Sequence, residues 1–372
     1  MTGRNQRGRG SHVRGADRGS SGVLDVLIGL IALGLLFMGV QFVWQYWGSG
    51  LDVIASTHRV EHDAGWDSSA AGGSSSSDGR VARAKSGEPV VEERPGHDGV
   101  VGYLHIPRLG SDWSKLIQEG TDPATLDMMG LGHYESSPMP GGLGAAAFAG
   151  HRNPMSLWNL DLVEAGDAVV VQTRDHWYVY RVTGMRIVGE SDVSVLEPEE
   201  GRRTLVLTTC DPKYATADGH YNRLVAFADF VYWADTADGT VAELLGDDAG
   251  ARPDAAALVA RVGERVSRVT HDAPVTPFLA AVCLGAWLAL DLVFWLAWRD
   301  RSLARLARRG FWSRWNPLVV LWRIQAGPFP LRVPLCVLMW MGVVFACFAW
   351  VCPWFAETFP AFAAPHPMVA SS

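Results

Sequence analysis

The chain has 372 residues, 48% of them hydrophobic, with 40 Gly, 16 Trp, 5 Cys and a formal net charge of −7. One or two ordinary domains fit beside membrane segments, and disulfide-rich mini-protein, collagen and coiled-coil readings are excluded. The acidic balance also excludes nucleic acid as a partner, because phosphate binding needs a surplus of Lys and Arg.

Residues 1–22 form a basic tail, with Arg4, Arg7, Arg9, Arg14 and Arg18 against Asp17 alone. The apolar run over 23–47 is long enough to cross a bilayer, and helix is the conformation that satisfies its backbone there. The bulky Val43-Trp44-Gln45-Tyr46-Trp47 that ends it offers no small-residue cleavage site, so the run reads as a retained signal anchor. Two more runs, over 275–298 and 333–355, predict further transmembrane helices. The loop between them, 299–332, carries eight Arg against Asp300 alone, whereas residues 48–274 hold 19 Lys and Arg against 34 Asp and Glu. The positive-inside bias then makes the tail and the loop cytoplasmic. The block 48–274 and the tail 356–372 fall outside, giving a multi-pass cell-membrane protein with an extracytoplasmic domain. Asp25 and Asp291 lie in or near the membrane runs, as functional carboxylates or as interface and packing residues.

Residues 48–97, with Ser68-Ser69 and Ser74 through Ser77, cannot bury a core and read as a flexible stalk. As coil, such a length spans roughly 35–40 Å. Order is expected to resume near Val100. Residues 98–235 then alternate short β-branched and aromatic runs with Gly, Pro and Asp clusters. Strands are predicted at 100–106, 145–149, 168–173, 177–188, 203–208 and 223–232, with a hairpin about Arg174-Asp175-His176 and helices at 123–129 and 195–201. That count predicts a mainly β domain, a closed or nearly closed barrel with short helices. A linker over 236–274 follows, in which Leu258, Val262 and Val266 mark one face of a juxtamembrane helix.

Cys210 is the single cysteine of the exported block, so no disulfide forms within it. Cys283, Cys336, Cys347 and Cys352 lie in or at the end of membrane runs, where small packing residues are expected. Cys210 ends the run Thr204-Leu205-Val206-Leu207-Thr208-Thr209. His151 ends Ala145-Ala146-Ala147-Phe148-Ala149-Gly150, and Arg223 opens Leu224-Val225-Ala226-Phe227. Each alone reads as readily as a packed thiol, a structural imidazole or a solvated guanidinium. Together they supply a nucleophile, a proton donor and a charge to hold a developing oxyanion.

Leu131-Gly132-His133-Tyr134-Glu135 with Pro140-Gly141, Phe148-Ala149-Gly150-His151-Arg152, Thr204 through Cys210, and Asn222-Arg223-Leu224-Val225 resemble the successive motifs of the sortase family of cysteine transpeptidases. The resemblance covers roughly residues 98–235. It implies an eight-stranded sortase β-barrel, in this chain joined to three transmembrane helices. The substrates implied are surface proteins bearing a C-terminal Leu-Pro-x-Thr-Gly-type sorting signal. By the same resemblance Cys210 cleaves the Thr–Gly bond and holds the acyl chain as a thioester, His151 is general acid and then base, and Arg223 binds substrate and oxyanion. The acceptor amine is then that of a lipid-linked peptidoglycan precursor, or a pilin lysine in pilus-building members. Thr208-Thr209-Cys210-Asp211-Pro212 and Ile106-Pro107-Arg108-Leu109-Gly110-Ser111-Asp112-Trp113 look most like class E, the housekeeping type of high-GC Gram-positive bacteria that accepts Leu-Ala-x-Thr-Gly. The excess of 29 Arg over 3 Lys agrees with such a genome. Residues 50–99 lack the Asp-Pro-aromatic lid of class C, which ranks pilus polymerisation second. A catalytically silent peptide-binding scaffold and a hydrolytic cysteine peptidase are the other readings.

His133, Asn153 and Thr209 are expected to bind substrate or support the site: His133 in the groove or structurally, Asn153 by orienting the imidazole, Thr209 by a hydroxyl or backbone donor. His220 competes for the base role from a polar loop. No cofactor and no metal are expected, since His and Cys lack ligand spacing in the exported domain. Glu190, Asp192, Glu197, Glu199 and Glu200 read as a solvated loop, not as a calcium site. The Arg-rich loop reads as a topology determinant or a site for anionic headgroups.

Overall fold

The computed structural model describes residues 17–48, 50–51, 53–66, 80–111, 113–197, 201–214, 222–245, 255–270, 273–299 and 316–359. Two compact units partition the chain, Met1–Val43 with Leu279–Cys352 and Trp44–Phe278 with Pro353–Ser372. In chain order the elements are α1 (Asp17–Val43), α2 (Val53–Asp63), β1 (Val100–His105), β2 (Ser114–Glu119), α3 (Pro123–Met129), β3 (Leu131–His133), β4 (Gly144–Gly150), β5 (Ala168–Gln172), β6 (His176–Gly189), β7 (Arg203–Asp211), β8 (Asn222–Asp235), α4 (Ala255–Thr270), α5 (Val275–Ala297), α6 (Pro317–Ile324), α7 (Phe329–Ala346) and α8 (Cys352–Thr358).

The eight strands close into a barrel in the order β1-β2-β3-β4-β7-β8-β6-β5. The six predicted strands are all present. β5 and β6 form the predicted antiparallel hairpin, and α3 spans the predicted helix. Asp122 caps α3 by accepting from the N–H groups of Ala124 and Thr125, and Pro123 follows it where its missing N–H costs nothing. β2 and β3 are additions to the sequence reading. The helix expected over 195–201 is instead a short 3-10 turn at Val193–Leu196, with residues 198–200 outside those described.

Strand alternation sorts the barrel residues into an interior cluster and two outer ones, one of the outer pair joining Val170, Trp177, Val179 and Ala234 to Ala82 of the strap. The interior holds Leu104, Ile117, Leu131, Phe148, Tyr178, Tyr180, Leu205, Leu207, Leu224 and Ala226. Their neighbours on β4, β7 and β8 point outward, where Ala145, Ala147, Val206 and Val225 pack with Val195 of the 3-10 turn and with Tyr134, Val188 and Phe227. The substrate groove implied by the family resemblance is expected over this outer cluster, which ends at the Cys210 and Arg223 rim.

The expected flexible stalk over 48–97 requires correction in its described parts. Residues 53–63 are helix α2, and residues 80–99 lie against the barrel as an extended strap. Ala82 N–H donates to Thr240 O at 2.8 Å, Lys85 N–H to Trp233 O at 2.8 Å, and Tyr178 hydroxyl to Val90 O at 2.7 Å. Glu92 Oε1 accepts from Thr173 Oγ1, Asp175 N–H and His176 Nδ1. The strap thus satisfies its backbone and charges on the barrel, and order begins about twenty residues before Val100. The Ser-rich stretch 67–79 lies outside the described residues.

Three stretches are helical, long and apolar enough to cross a membrane: Val23–Gly48, Val275–Ala297 and Phe329–Thr358. The last is interrupted by a π-turn over Cys347–Val351. Within the first unit, Asp291 Oδ1 accepts the Ala326 N–H at 2.7 Å and Trp287 Nε1 donates to Gln325 Oε1 at 2.8 Å. Asp291 therefore serves helix packing. The segment expected as a plain loop over 299–332 contains α6, whose N-cap Asn316 also donates to Asp25 O at 3.4 Å. A Cβ on Gly29 would meet Pro317 Cδ at 2.4 Å, so the close approach of α1 and α6 requires glycine there. The Arg-rich stretch 300–315 and residues 360–372 lie outside the description. All five cysteines are free.

Candidate active site

The barrel brings the ends of three strands to one rim. Cys210 and Arg223 are opposite each other in the antiparallel β7–β8 register. β4 runs parallel to β7 with Ala149 beside Thr208, and two residues further along both chains are His151 and Cys210. The alternation that directs Val206 and Val225 outward gives the same parity to Cys210, Arg223 and His151. Cys210 and Arg223 therefore face each other on the outer side of the barrel wall, and His151 follows directly on the end of β4 at the same rim. Gly150, just before His151, has no room for a side chain, since a Cβ would lie 2.3 Å from Ser156 Oγ and 2.5 Å from Leu131 Cδ2. This packing sets where the chain turns after β4, and Leu157 N–H fixes the turn by donating to His151 O at 3.0 Å.

Cys210 is 4% exposed, and burial pushes its thiol above the ordinary cysteine value. Arg223 and Arg152 pull the other way, while Glu190 and Asp211 add to the rise. Arg223 is held by Glu190, Nη2 to Oε1 at 2.6 Å, and by a bond from Nη1 to Asn222 O at 3.1 Å. The resting site thus couples a protonated thiol to an arginine whose fork is engaged by a half-exposed carboxylate. A carboxylate or carbonyl oxygen entering the groove could take the place of Glu190 on that fork.

Two residues unassigned from sequence complete the rim. Arg152 is buried, donating from Nη1 to Cys210 O at 3.1 Å and pairing through Nη2 with Asp161 at 2.9 Å. Tyr134 shares a 3.2 Å hydrogen bond between its hydroxyl and Thr208 Oγ1, and the charges of Arg223 and Cys210 both act on it. Each stands beside a residue that was singled out, Arg152 after His151 and Tyr134 after His133. Adjacency was the available signal, but pairing across strands supplied the role.

Of the two readings of His133, its burial carries the structural one. His133 is fully buried on the interior face of β3, its ring 5.2 Å from that of Phe148. Nδ1 is 2.8 Å from Glu119 Oε2, and Nε2 lies 3.1 Å from Pro138 O and 3.0 Å from Ser137 Oγ. It is structural, out of reach of the groove. Asn153 Oδ1 accepts the Met155 N–H at 3.0 Å, stabilising the turn after His151. Thr209 shares the parity of Leu205 and Leu207, and its buried hydroxyl makes no hydrogen bond among the described residues, so its side chain faces away from Cys210. His220, Glu199 and Glu200 lie outside the described residues. Of the other loop carboxylates, Asp192 caps the 3-10 turn through Ser194.

His97, Asp98 and Asp122 are close enough together to hold a metal ion. His97 already bridges Glu135 at 2.9 Å and Asp122 at 3.1 Å, and Thr125 Oγ1 bonds Asp98 and Asp122.

A closed eight-stranded barrel whose rim sets a thiol opposite an arginine across one strand pair is the architecture the motifs led one to expect. Residues 104–231 match the family model described as a sortase domain. Sortase SrtE2 of Streptomyces coelicolor is 27% identical over 205 residues, which cover 50% of this chain and 75% of that protein. The solved SrtA sortase from Actinomyces oris is 31% identical, with 44% of this chain and 98% of that one covered and a TM-score of 0.40. Sortase E from Streptomyces avermitilis is 29% identical over 40% of this chain and 99% of that one, with a TM-score of 0.37. Residues 104–231 thus carry a sortase domain, and sortases of the E type are among the proteins the chain is similar to.

Proposed function

We propose that this chain is a membrane-anchored sortase that cleaves a Leu-Pro/Ala-x-Thr-Gly signal between Thr and Gly and joins the new carboxyl terminus to an amine. The observation that carries the reading is the common parity of Cys210, Arg223 and His151 beside one outer apolar cluster.

In this reading the Cys210 thiol gives its proton to His151 and its sulfur attacks the Thr carbonyl carbon. Arg223, released from Glu190, holds the oxygen as it gains charge. His151 protonates the departing Gly amine, leaving a Thr–Cys210 thioester. The incoming amine loses a proton to His151, attacks the thioester, and restores the free thiol. Because burial holds the thiol protonated at rest, its activation accompanies substrate binding, which excludes water from the groove and exchanges the partner of Arg223.

The acceptor is a lipid-linked cell-wall precursor, and the donors are surface proteins bearing the signal. The arginine excess of residues 1–22 and 299–332 supports a cytoplasmic side for both, with residues 48–274 and 356–372 outside. The sortase domain proper comprises residues 98–235, held by the strap that precedes it.

The test offers the detergent-solubilised full chain Leu-Pro-x-Thr-Gly and Leu-Ala-x-Thr-Gly peptides, with and without a glycine amine, read by mass spectrometry. A Cys210 acyl adduct that the amine converts to a ligated product is expected from the native chain, none from Cys210→Ala, and little from Arg223→Lys, which lacks the planar fork. Ligation by Cys210→Ala would overturn the mechanism.

A further inference from the structure

Helix α4 is built to have two different neighbours. On one side Gly263 and Ser267 are buried against α2: a Cβ on Gly263 would lie 2.5 Å from Ile54 Cδ1, and Ser267 Oγ is 3.4 Å from His58 Nδ1. On another side Leu258, Val262 and Val269 are 62%, 49% and 73% exposed. At 100° per residue these three fall within about 40° of arc, a continuous aliphatic stripe. Arg261, Arg265 and Arg268 follow along its edge, on the side away from Gly263. The juxtamembrane face expected from sequence thus exists, and the described chain leaves its outermost part uncovered.

Two observations identify what covers it. Five residues beyond Thr270 the chain begins α5, a helix apolar enough to cross a membrane, so α4 starts from the surface of any bilayer that α5 enters. The arginine row along the stripe matches anionic headgroups beside acyl chains, whereas a second copy would bring two such rows together. We propose that α4 is an interfacial helix whose Leu258, Val262 and Val269 enter the lipid at headgroup depth, with its arginines on lipid phosphates.

α4 packs on α2, and α2 packs on α3 beside the barrel. Tyr214, four residues after Cys210, lies edge-on to Trp158 at 5.6 Å and to Tyr46 at 5.2 Å. Tyr46 belongs to the last turn of the first apolar helix, Val23–Gly48.

The experiment uses the full chain with its five cysteines replaced by alanine, carrying V262C or V269C labelled with an environment-sensitive fluorophore. It is reconstituted in phosphatidylcholine vesicles with and without phosphatidylglycerol. Both labels are expected to lose most of their emission to a nitroxide carried high on the lipid acyl chain, to resist aqueous iodide, and to respond more strongly when phosphatidylglycerol is present. A label at A84C, on the exposed strap, should respond in the opposite sense. Iodide quenching at positions 262 and 269 equal to that at position 84 overturns the proposal. So does protection from both quenchers with energy transfer between differently labelled copies, which would mean that a second copy covers the stripe. The combined R261Q/R265Q/R268Q variant should abolish the phosphatidylglycerol response alone, and its persistence would remove the arginines from the lipid contact. A photocrosslinking residue at position 262 in the chain with its native cysteines gives an independent readout: lipid adducts support the proposal, and their absence overturns it. No outcome depends on peptide ligation, so failure here and failure of the transpeptidase reading are distinguishable.

Discussion

The Arg152 guanidinium lies just beyond β4 and donates to the carbonyl oxygen of Cys210 at 3.1 Å, while its other end pairs with Asp161. One buried cation thereby joins the turn that carries His151 to the strand that carries the thiol. Arg152→Ala leaves the Cys210 carbonyl without this donor and Asp161 without its buried partner. A loss of about 2–3 kcal/mol is expected, from hydrogen bonds to a charged group, together with slower acyl transfer. Thermal unfolding and ligation kinetics check both. Arg152→Lys should recover part of the stability, since one ammonium cannot span both acceptors. Unaltered ligation in the alanine variant would show that the turn and the nucleophile are held independently.

Glu190 acts on the thiol from across the groove mouth, raising it in opposition to Arg223. Glu190→Gln should move the thiol toward ordinary cysteine acidity and free the Arg223 fork, whereas Arg223→Gln should move it further up. Iodoacetamide alkylation of Cys210 at pH 7 should become faster in the first variant and slower in the second, because the ionised fraction of the thiol rises as it moves toward ordinary acidity. Slower alkylation in Glu190→Gln would contradict the assigned coupling.

Arg94 of the strap pairs with Glu119, whose side chain is 2% exposed, and donates to Glu135 O at 2.8 Å and Ser137 O at 2.5 Å. Burial raises the Glu119 carboxyl, but His133 and Arg94 outweigh it and hold the group below its ordinary value. Arg94→Ala removes one of the two partners of the buried Glu119 carboxylate and should destabilise the chain by about 1–3 kcal/mol, since Arg94 itself is partly exposed. Limited proteolysis should then cut within residues 80–99 faster than in the native chain. An unchanged cleavage pattern would mean that the backbone bonds of the strap suffice.

His105 is buried between Tyr103 and Trp177, with Nε2 3.1 Å from Gln172 Oε1. Burial lowers its pKa to about 4, against a partial rise from the Gln172 bond. The unfolded chain, titrating near 6.5, takes up this proton first, so its contribution to stability is complete above about 6.5 and is lost as pH falls toward about 4. The loss is on the order of 3 kcal/mol across that window. His105→Gln should flatten the dependence of melting temperature on pH there, and an identical slope in both chains would assign the acid sensitivity elsewhere.

The strand ends that carry Cys210, His151 and Arg223 were legible because each closes or opens a run of alternating or β-branched residues, and the family motifs fall on those runs. The three apolar helices were legible for the same reason, since length and hydropathy are local quantities. β2 was hidden in Ser114-Lys115-Leu116-Ile117-Gln118-Glu119, where polar residues that the barrel buries read as surface. β3 has three residues, too few for any period. The strap over 80–99 carries no periodicity at all, because its order comes from hydrogen bonds to Thr240, Trp233 and Tyr178, far away in the chain.

What the sequence determined by itself was therefore whatever depends on near neighbours: the apolar helices, the charge asymmetry about them, most of the strands, and which residue types end those strands. Only the tertiary structure decided which faces those residues share. It turned Thr209 toward the interior and buried His133 on Glu119. It set Arg152 beneath Cys210, since cross-strand register and burial are set by residues 14 to 59 positions apart.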